Sequence, residues 1–332
     1  MFEEIGLGII GAGRWGINHV RTANQLLGKN LKFVCDFNAA ASEKIAGISS
    51  EIPFTTKVED ILDNSEINAV IIATPAETHY DVAKKALMKD KNVLVEKPIT
   101  LISTHARELV EIAERKDKKL MVGHVLLYHP AVRKIKEIID DDKIGRLQYI
   151  YSNRLNLGSI RTEENILWSF APHDISVIQY LLKSNPVYVD AKGATILQSA
   201  IEDTTVTYLS YPGNIHAHIF VSWLHPFKEQ RLVVIGEKGM VVFEDSLKID
   251  KLKFYPKGFK NINGSLQKFE GDFEVIEFEN QQPLAEEQRH FFNSIINNEK
   301  PLTDGIHAVE VLEILEKAQA CLSADQSLAK VK

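Results

Sequence analysis

The fold of this chain is decided by the hexapeptide Gly11-Ala12-Gly13-Arg14-Trp15-Gly16, which follows an apolar run from Ile5 to Ile10. Such a run is typical of a central parallel strand covered on both faces, and residues 17–27 predict a helix directly after the glycines. In this arrangement the first glycine permits the tight turn, the second lets the backbone approach a pyrophosphate, and the third lets helix and strand pack closely. Free N–H groups and the helix dipole favour an anion at the start of that helix. The hexapeptide therefore predicts a dinucleotide-binding turn, and its candidate cofactor-binding residues are Gly11, Gly13, Arg14, Trp15 and Gly16.

A second predicted strand, Leu31 to Cys35, ends at Asp36. A carboxylate at this place, roughly 20 residues beyond the turn, accepts hydrogen bonds from the adenosine ribose and repels a 2′-phosphate. No arginine follows, since the next residues are Phe37, Asn38 and Ala39. The sequence therefore favours NAD over NADP, with Asp36 as a further cofactor-binding residue. The alternative is that Asp36 simply caps the next helix.

Strands and helices alternate through residue 122, which predicts a doubly wound parallel sheet. From Gly123 onward, longer alternating strands predict a large, mostly antiparallel open sheet. We therefore predict an α/β protein with an NAD-binding Rossmann domain at 1–122. A substrate-binding and oligomerisation domain follows at 123–332, and its C-terminal helices could pack back on the first domain. An open sheet leaves a face to cover, so a homodimer or homotetramer is expected unless helices cover that face.

The composition is that of an ordinary globular chain long enough for two domains: 332 residues, 25% charged and 45% hydrophobic. The formal net charge of −6 gives no reason to expect a nucleic-acid partner. No apolar stretch is long enough to span a membrane, and the N-terminus lacks a signal-peptide pattern. Cys35 and Cys321 offer neither a disulfide framework nor metal-ligand spacing, which fits a cytoplasmic location.

Two further strands lead into residues that can carry chemistry. Residues 69–73 are followed by Thr74 and Pro75, and residues 92–95 by Glu96-Lys97-Pro98. Ligands of such sheets bind outside the carboxyl ends of the strands, so Thr74, Pro75, Glu96 and Lys97 are predicted to contact the cofactor. Lys97 is also predicted to be catalytic, because oxidation of an alcohol needs a positive group beside the developing alkoxide. Glu96 would anchor the cofactor ribose or orient Lys97, and the Lys97–Pro98 bond could be cis. The alternative for Lys97 is a solvent-exposed loop lysine.

The spaced combination of these motifs resembles the Gfo/Idh/MocA oxidoreductase family over essentially the whole chain. The resemblance implies a nicotinamide-binding Rossmann domain followed by an α/β domain with a large open sheet. It also implies pyranose or cyclitol substrates, hydride transfer at a ring carbon, and an active-site role for Lys97. His79 would lie on the cofactor side, near the nicotinamide, or be structural. The residues that carry the resemblance are the turn at 11–16, Ala73-Thr74-Pro75 with His79, Glu96-Lys97-Pro98, Gly123-His124 and Pro172-His173-Asp174.

His173 is the candidate general base, because imidazole has the intrinsic pKa to accept an alcohol proton near neutrality. A helix is predicted from Trp168 to Leu182, with Ser169 as a possible N-cap and with Pro172 and His173 in its first turn. Many family members place an aspartate where this chain has Ser169, which leaves Ser169 at most a hydrogen-bonding partner of His173. Asp174 would bind a sugar hydroxyl or orient His173. The alternative for His173 is a capping or packed histidine.

The segment 153–174 is similar to family members that act on nucleotide-linked sugars, such as UDP-N-acetylglucosamine 3-dehydrogenases. Arg154 and Arg161 would then bind the diphosphate, because arginine holds phosphate oxygens in a bidentate fork. The alternative is an ordinary ion pair with Glu163 or Glu164. Further candidate contacts for the sugar or the base are Tyr128, Asn156 and Trp168.

The sequence thus predicts an NAD(P)-dependent oxidoreductase acting on CH–OH groups of sugars. The expected reaction is oxidation of a nucleotide-linked sugar at C-3, with Lys97 stabilising the oxyanion and His173 taking the proton. No catalytic metal is expected, because the aligned pair His216 and His218 has no identifiable third ligand. Three alternatives stay open: a free-sugar or inositol dehydrogenase, a sugar ketoreductase, and a non-catalytic dinucleotide-binding regulator.

Overall fold

The computed structural model describes the backbone of residues 2–329 and side chains as far as residue 324. In chain order its helices are α1 (Gly16–Leu27), α2 (Ala41–Ala46), α3 (Glu59–Leu62), α4 (His79–Met88), α5 (Ser103–Arg115), α6 (Pro130–Asp140), α7 (Ile166–Leu182), α8 (Pro283–Ile296) and α9 (Gly305–Ala329). Short 3₁₀ turns occupy Gly28–Asn30, Ala76–Thr78 and Val125–Tyr128.

The strands of the amino-terminal part are β1 (Leu7–Ile10), β2 (Leu31–Cys35), β3 (Phe54–Thr55), β4 (Ala69–Ile72), β5 (Asn92–Glu96) and β6 (Leu120–Gly123). Those that follow are β7 (Leu147–Leu157), β8 (Tyr188–Ala194), β9 (Thr204–Tyr211), β10 (Ile215–Ser222), β11 (Leu224–Gly236), β12 (Met240–Glu244), β13 (Leu252–Tyr255), β14 (Gly258–Ile262), β15 (Ser265–Phe269) and β16 (Glu274–Val275).

The chain divides into two compact units, and each is described by itself. The first unit runs to Tyr128 and includes Gln281–Leu312, while the second comprises His129–Asn280 and the chain from Glu313 onward. The change of unit therefore follows Tyr128, whereas the sequence predicts it after residue 122. Helix α8 and the start of α9 belong to the first unit. Within the described residues, no helix is both long and apolar enough to cross a membrane.

A six-stranded parallel sheet in the order β3-β2-β1-β4-β5-β6 forms the centre of the first unit. Every residue of β1 and β4 is buried, as expected for strands covered by helices on both faces. Helix α8 returns from far along the sequence to pack against α1 and the turn Val125–Tyr128. The carboxyl ends of the strands thus carry the predicted cofactor residues along one edge.

An eight-stranded sheet in the order β16-β13-β12-β11-β7-β10-β9-β8 forms the second unit. Only the pair β7–β10 among the described strands of this sheet runs parallel. Alternate residues of β9 are buried, and α7 packs against β7, β9 and β10. The predicted fold class, a Rossmann sheet followed by a mostly antiparallel open sheet, is confirmed. Sequence analysis does not predict β7, because polar residues interrupt its apolar pattern.

The start of α7 differs from the prediction. The helix begins at Ile166, and the Asn165 side chain caps it by accepting a hydrogen bond from the Trp168 backbone N–H at 3.2 Å. The prediction of Ser169 as N-cap is therefore wrong, since Ser169 lies buried within the helix. Pro172 and His173 lie beyond the first turn for the same reason. The apolar pair at 166–167 is fully buried, which favours the earlier start.

Candidate active site

The glycine-rich turn leaves room for a pyrophosphate where the motif predicts it. Gly11 has a φ of +97°, and a Cβ on it would lie 2.6 Å from the carbonyl carbon of Ala73. A Cβ on Gly16 would lie 2.1 Å from the carbonyl oxygen of Gly11, so α1 can approach β1 this closely only with glycine. A Cβ on Gly13, by contrast, would meet no described atom within 4 Å. The backbone at Gly13 therefore faces open space, and Arg14 and Trp15 beside it are exposed. This cradle fits a dinucleotide phosphate.

Asp36 stands at the end of β2, directly beside the same turn. Its Oδ2 accepts a hydrogen bond from the Ala12 N–H at 2.7 Å, and its Oδ1 accepts one from the Asn38 N–H at 2.9 Å. A carboxylate has about four acceptor positions, so Asp36 can still accept hydrogen bonds from ribose hydroxyls. The half-buried side chain thus joins the turn to the predicted adenosine site.

Glu96 is the hub that ties Lys97 to the glycine-rich turn. Its Oε1 accepts hydrogen bonds from Trp15 Nε1 at 2.6 Å and from His19 Nε2 at 2.7 Å. Its Oε2 lies 3.2 Å from the backbone N–H of Lys97, which donates to it. A Cβ on Gly123 would lie 2.9 Å from Oε1, so the carboxylate fills the space that this glycine leaves. Glu96 therefore holds the backbone of the half-buried Lys97, which supports the orienting role predicted for Glu96.

The charge on Glu96 is stabilised although the side chain is largely buried. Burial alone would raise the pKa of Glu96, but the hydrogen bond and charge of His19 oppose it, together with the bond from Trp15 and the charge of Lys97. The balance holds the pKa of Glu96 below its ordinary value. Glu96 is therefore a carboxylate at neutral pH and supplies a negative charge beside Lys97.

His79 contacts the backbone that follows β4 and the backbone that follows β5. It is buried at the start of α4, with Nδ1 2.8 Å from the carbonyl oxygen of Pro98 and Nε2 2.9 Å from that of Thr74. The Lys97–Pro98 peptide bond, directly before the Pro98 carbonyl, is cis. Thr74 is half-buried and accepts a hydrogen bond from Thr78 at 2.7 Å, while Pro75 is exposed. His79 thus acts on the predicted cofactor edge through the backbone.

His124 is a buried histidine to which sequence analysis assigns no role. Among the described residues, neither of its ring nitrogens has a hydrogen-bond partner, and its ring lies edge-on to His307 with centroids 5.2 Å apart. Burial, and then the charges of His307 and Lys97, hold the pKa of His124 well below its ordinary value. His124 is therefore a neutral imidazole that feels the charge of Lys97, and its place after β6, within the Gly123-His124 motif, is the sequence signal that points to it.

In the second unit, the residue after His173 anchors α7 to the sheet. Asp174 is buried and accepts hydrogen bonds from Ser152 Oγ at 2.6 Å and from Arg154 Nε and Nη2 at 2.8 and 3.0 Å. Ser152 and Arg154 lie on β7, so the sheet fixes the helix beside the half-buried His173. The prediction offers Asp174 a sugar hydroxyl or His173 as its partner, but the structure gives it Arg154. The guanidinium of Arg154 therefore already donates hydrogen bonds to the carboxylate of Asp174.

The N-terminus of α7 is fixed by a second polar group. Trp168 Nε1 and Asn165 Nδ2 both donate to Gln319 Oε1 of α9, at 3.0 and 2.8 Å. Trp168 keeps a half-buried ring, while Ser169 is 3% exposed. These contacts hold the helix that carries His173.

The remaining predicted substrate residues, Arg161, Asn156 and Tyr128, differ in burial and in hydrogen-bond partners. Arg161 lies in an exposed loop and pairs with Glu164 at 3.0 Å, which is the alternative ion pair considered from the sequence. Asn156 is half-buried on β7. Tyr128, in the first unit, is fully buried with its hydroxyl 3.3 Å from Thr303 Oγ1. Of these three, Arg161 has the most accessible polar head.

One cluster in the first unit includes a residue that sequence analysis does not single out. His19, Glu96 and Glu287 bring potential ligand atoms within 4.8 Å of one another. Glu287 comes from α8, far along the sequence from the glycine-rich turn, so no local pattern links it to this place.

A parallel sheet with an open glycine cradle, an aspartate at the end of β2 and a held lysine at the end of β5 defines a nicotinamide-dependent oxidoreductase. Comparison with family models agrees. The model for an oxidoreductase family with an NAD-binding Rossmann fold matches residues 5–124, and the GFO/IDH/MocA C-terminal domain matches residues 132–242. The chain belongs to the Gfo/Idh/MocA family. The predictions of NAD as cofactor and of an NAD-dependent oxidoreductase are confirmed.

Similar proteins include dehydrogenases of two substrate types. The chain is 29% identical to an inositol 2-dehydrogenase from Rhizobium meliloti over 72% of its own length and 75% of that protein. It is 26% identical to the scyllo-inositol 2-dehydrogenase (NAD(+)) of Bacillus subtilis over 95% and 93% of the two chains. Its fold is similar to that of UDP-N-acetylglucosamine 3-dehydrogenase GnnA from Acidithiobacillus ferrooxidans. That comparison has a TM-score of 0.82 at 23% identity, covering 96% and 97% of the chains.

Replacement of Asp36 by serine should weaken NAD binding by roughly 10- to 100-fold, since charged hydrogen bonds to the ribose are lost. Binding of NADP should weaken less or improve, because the carboxylate that repels a 2′-phosphate is gone. Fluorescence titration with both dinucleotides measures the two affinities. Asp63→Ser is the matched control, since Asp63 pairs only with the exposed Lys89 among described contacts. An unchanged NAD-to-NADP ratio in Asp36→Ser would contradict the ribose contact.

Proposed function

We propose that this protein oxidises a secondary hydroxyl of a polyhydroxylated ring, a sugar or a cyclitol, with NAD as hydride acceptor. The proposal rests on the way Glu96 holds Lys97 at the end of β5, directly beside the dinucleotide-binding turn. Such a lysine meets the main electrostatic demand of alcohol oxidation, which is a positive charge at the oxygen that becomes negative. The names of the inositol dehydrogenases among its relatives support the same class of substrate.

When bound, NAD supplies a nicotinamide carbon that accepts hydride. The residues of the chain would then handle the proton and the charge. We propose that the ammonium of Lys97 binds the reacting oxygen and stabilises the alkoxide, while His173 accepts the hydroxyl proton. The negative charge of Glu96 attracts the ammonium of Lys97, and the Arg154–Asp174 pair keeps the helix of His173 in place.

A nucleotide-linked sugar oxidised at C-3 is the finer proposal within this class. Arg161 supports it, because its head is half exposed and its pair with Glu164 can be exchanged for a phosphate. Arg154 gives less support, because Asp174 already occupies two of its nitrogens. The second candidate is a free cyclitol or sugar, which needs no diphosphate-binding arginine. This second candidate is favoured because Arg154 already donates its hydrogen bonds to Asp174.

We further propose a homodimer or homotetramer that uses the open face of the second unit's sheet. Strand β9 alternates buried residues with exposed Val206 and Tyr208, which are 44% and 37% exposed. A sheet face that exposes such side chains is a typical surface for a second copy of the same chain.

The test is the formation of NADH with purified protein, NAD and four substrates: UDP-N-acetylglucosamine, its uronic acid, myo-inositol and glucose. Turnover on any of them supports the class, and silence with all four while NAD binds would contradict it. Arg161→Ala should raise KM for a UDP-sugar by about 10-fold, as expected for a lost charged hydrogen bond, and leave myo-inositol unaffected. Equal effects on both would contradict the diphosphate role. Lys183→Ala, which removes a cation 70% exposed in the same unit, is the control.

A further inference from the structure

Glu287 is a fully buried carboxyl group with no hydrogen-bond partner on either oxygen among the described residues. It extends from α8 toward Glu96 and His19, and the ligand atoms of the three side chains lie within 4.8 Å of one another. An ionised carboxylate in this position would lose its hydration without replacement, which costs several kcal/mol or more. Glu287 must therefore carry a proton, or the cluster must hold a cation.

The hydrogen bonds of His19 decide between these two possibilities. Gln288 Nε2 lies 3.2 Å from the backbone carbonyl oxygen of His19 and 3.1 Å from its Nδ1. A carbonyl oxygen only accepts hydrogen bonds, so the amide nitrogen of Gln288 must be the atom that faces His19. His19 Nδ1 then accepts, which places the ring proton on Nε2, where it is donated to Glu96. A metal ion would need the lone pair of that same Nε2, so the geometry favours a proton over a cation.

The proton of the carboxyl pair resides on Glu287 and not on Glu96. Glu96 accepts three N–H groups, from Trp15, His19 and Lys97, whereas Glu287 accepts none among the described groups. Two carboxyls this close do not both ionise at neutral pH, and hydrogen bonds to the charged form decide which one does. Burial, and then the negative charge of Glu96, raise the pKa of Glu287 well above its ordinary value.

We propose that Glu287 is a positioning residue for Lys97: a neutral acid that leaves the single negative charge of the pair on Glu96. This rests on the catalytic role proposed for Lys97. A buried acid without a hydrogen-bond partner destabilises the folded chain, and such departures from ordinary packing are typical of functional sites. The neutral acid lies next to Glu96. Among the described residues, it takes none of the hydrogen bonds that stabilise the charge of Glu96.

Titratable groups reach Glu287 from two elements: His19 from α1 and Glu96 from the end of β5. Lys97 directly follows Glu96 in the chain. The turn Val125–Tyr128, which also packs against α8, carries Tyr128, whose ring lies 5.5 Å from that of His290 on α8. Of these, Glu96 is the group whose charge shifts the pKa of Glu287.

The first arm of the test is stability against pH, in the full chain and without substrate. Glu287 binds its proton more tightly in the folded chain, so the unfolded chain releases it first as pH rises above about 4.3. Stability then falls with rising pH, by up to about tenfold in the unfolding constant per pH unit, until the raised pKa is reached. Glu287→Gln cannot ionise. Its melting temperature should therefore exceed that of the unmodified protein by a margin that grows from about pH 5 upward.

Two further variants keep this arm decisive. Glu287→Met removes the charge with a similar volume and should show the same growing margin, should the glutamine variant fold poorly. Glu286→Gln, one residue earlier and paired with Arg289, should show no such growth. Loss of stability in Glu287→Gln at every pH, or a drop in the melting temperature of the unmodified protein on adding EDTA, would overturn the proposal in favour of an ionised group or a bound cation.

The second arm is the pH profile of kcat/KM for the substrate found active. In the unmodified protein, ionisation of Glu287 at high pH ends the neutral state that leaves the charge of the pair on Glu96, and activity should fall there. Glu287→Gln stays neutral at every pH, so its alkaline limb should lie at least about one pH unit higher than that of the unmodified protein. An unmoved alkaline limb would limit Glu287 to a structural role and overturn the positioning claim. If Lys97 itself proves dispensable while the stability margin grows, the proposed function fails and the protonation of Glu287 stands.

Discussion

Replacement of Lys97 by alanine should lower kcat by about 10²- to 10⁴-fold, because the group that stabilises the developing alkoxide is lost. The loss should fall on kcat and kcat/KM alike, as expected for an interaction made mainly in the transition state. NAD binding should change little, because the turn at Gly13 and the carboxylate of Asp36 remain. Stopped-flow NADH formation and fluorescence titration of NAD measure the two quantities separately.

Two variants control this experiment. Lys97→Arg keeps the positive charge and should retain more activity than the alanine variant, though a planar guanidinium does not reproduce the compact ammonium. Lys89→Ala removes an exposed lysine of the same unit that pairs with Asp63, and it should not affect turnover. If Lys97→Ala turned over at the unmodified rate, the proposed mechanism would fail. If it lost NAD binding instead, Lys97 would be a cofactor ligand and not the oxyanion partner.

The strands and the helix around the glycine-rich turn could be predicted from sequence because their determinants are local. The helix after the turn and the strands that end at Asp36 and Glu96 are specified by residues within a few positions of each other. The glycines carry their own steric reasons, as Gly16 does through its contact with the backbone of Gly11. Local sequence therefore suffices for the cofactor edge.

The parts of the site that sequence reasoning misses depend on distant contacts. Glu287 meets Glu96 only because α8 packs against α1, and hydrophobic periodicity in α8 does not show which partner it will find. The helix of His173 begins early because Asn165 caps it, although a serine four residues later offers an equally plausible cap. Cap choice is decided by the burial of the following residues, which only the packed structure reveals.

Arg154 shows the same limit in its chemistry. From sequence, an arginine near a predicted sugar site suggests a diphosphate contact. In the structure its side chain is only 14% exposed and its nitrogens donate to Asp174, itself 5% exposed. The two residues meet where α7 packs against β7, and no spacing along the chain predicts this contact. The distinction between a ligand contact and a structural pair is therefore one of burial and partners.

Asp174→Asn should destabilise the second unit by about 3–5 kcal/mol, because it leaves the buried guanidinium of Arg154 without its counter-charge. The reverse variant, Arg154→Met, should cost a comparable amount by stranding the carboxylate. The double variant Arg154→Met with Asp174→Leu should recover much of this loss, since well-packed apolar groups often replace a buried ion pair without penalty. Urea unfolding followed by circular dichroism measures each free energy. Arg161→Ala, which breaks an exposed pair, should cost at most about 1 kcal/mol.

The same variants separate the two roles of Arg154. If the pair holds the helix of His173, both single variants should lower kcat for every substrate, and the double variant should regain stability ahead of activity. If Arg154 binds a diphosphate, Arg154→Met should raise KM for a UDP-sugar alone, while Asp174→Asn leaves that KM unchanged. A stable Arg154→Met variant with a selective KM defect would contradict the structural pair. An unstable one with a uniform kcat defect would assign the arginine to the placement of His173.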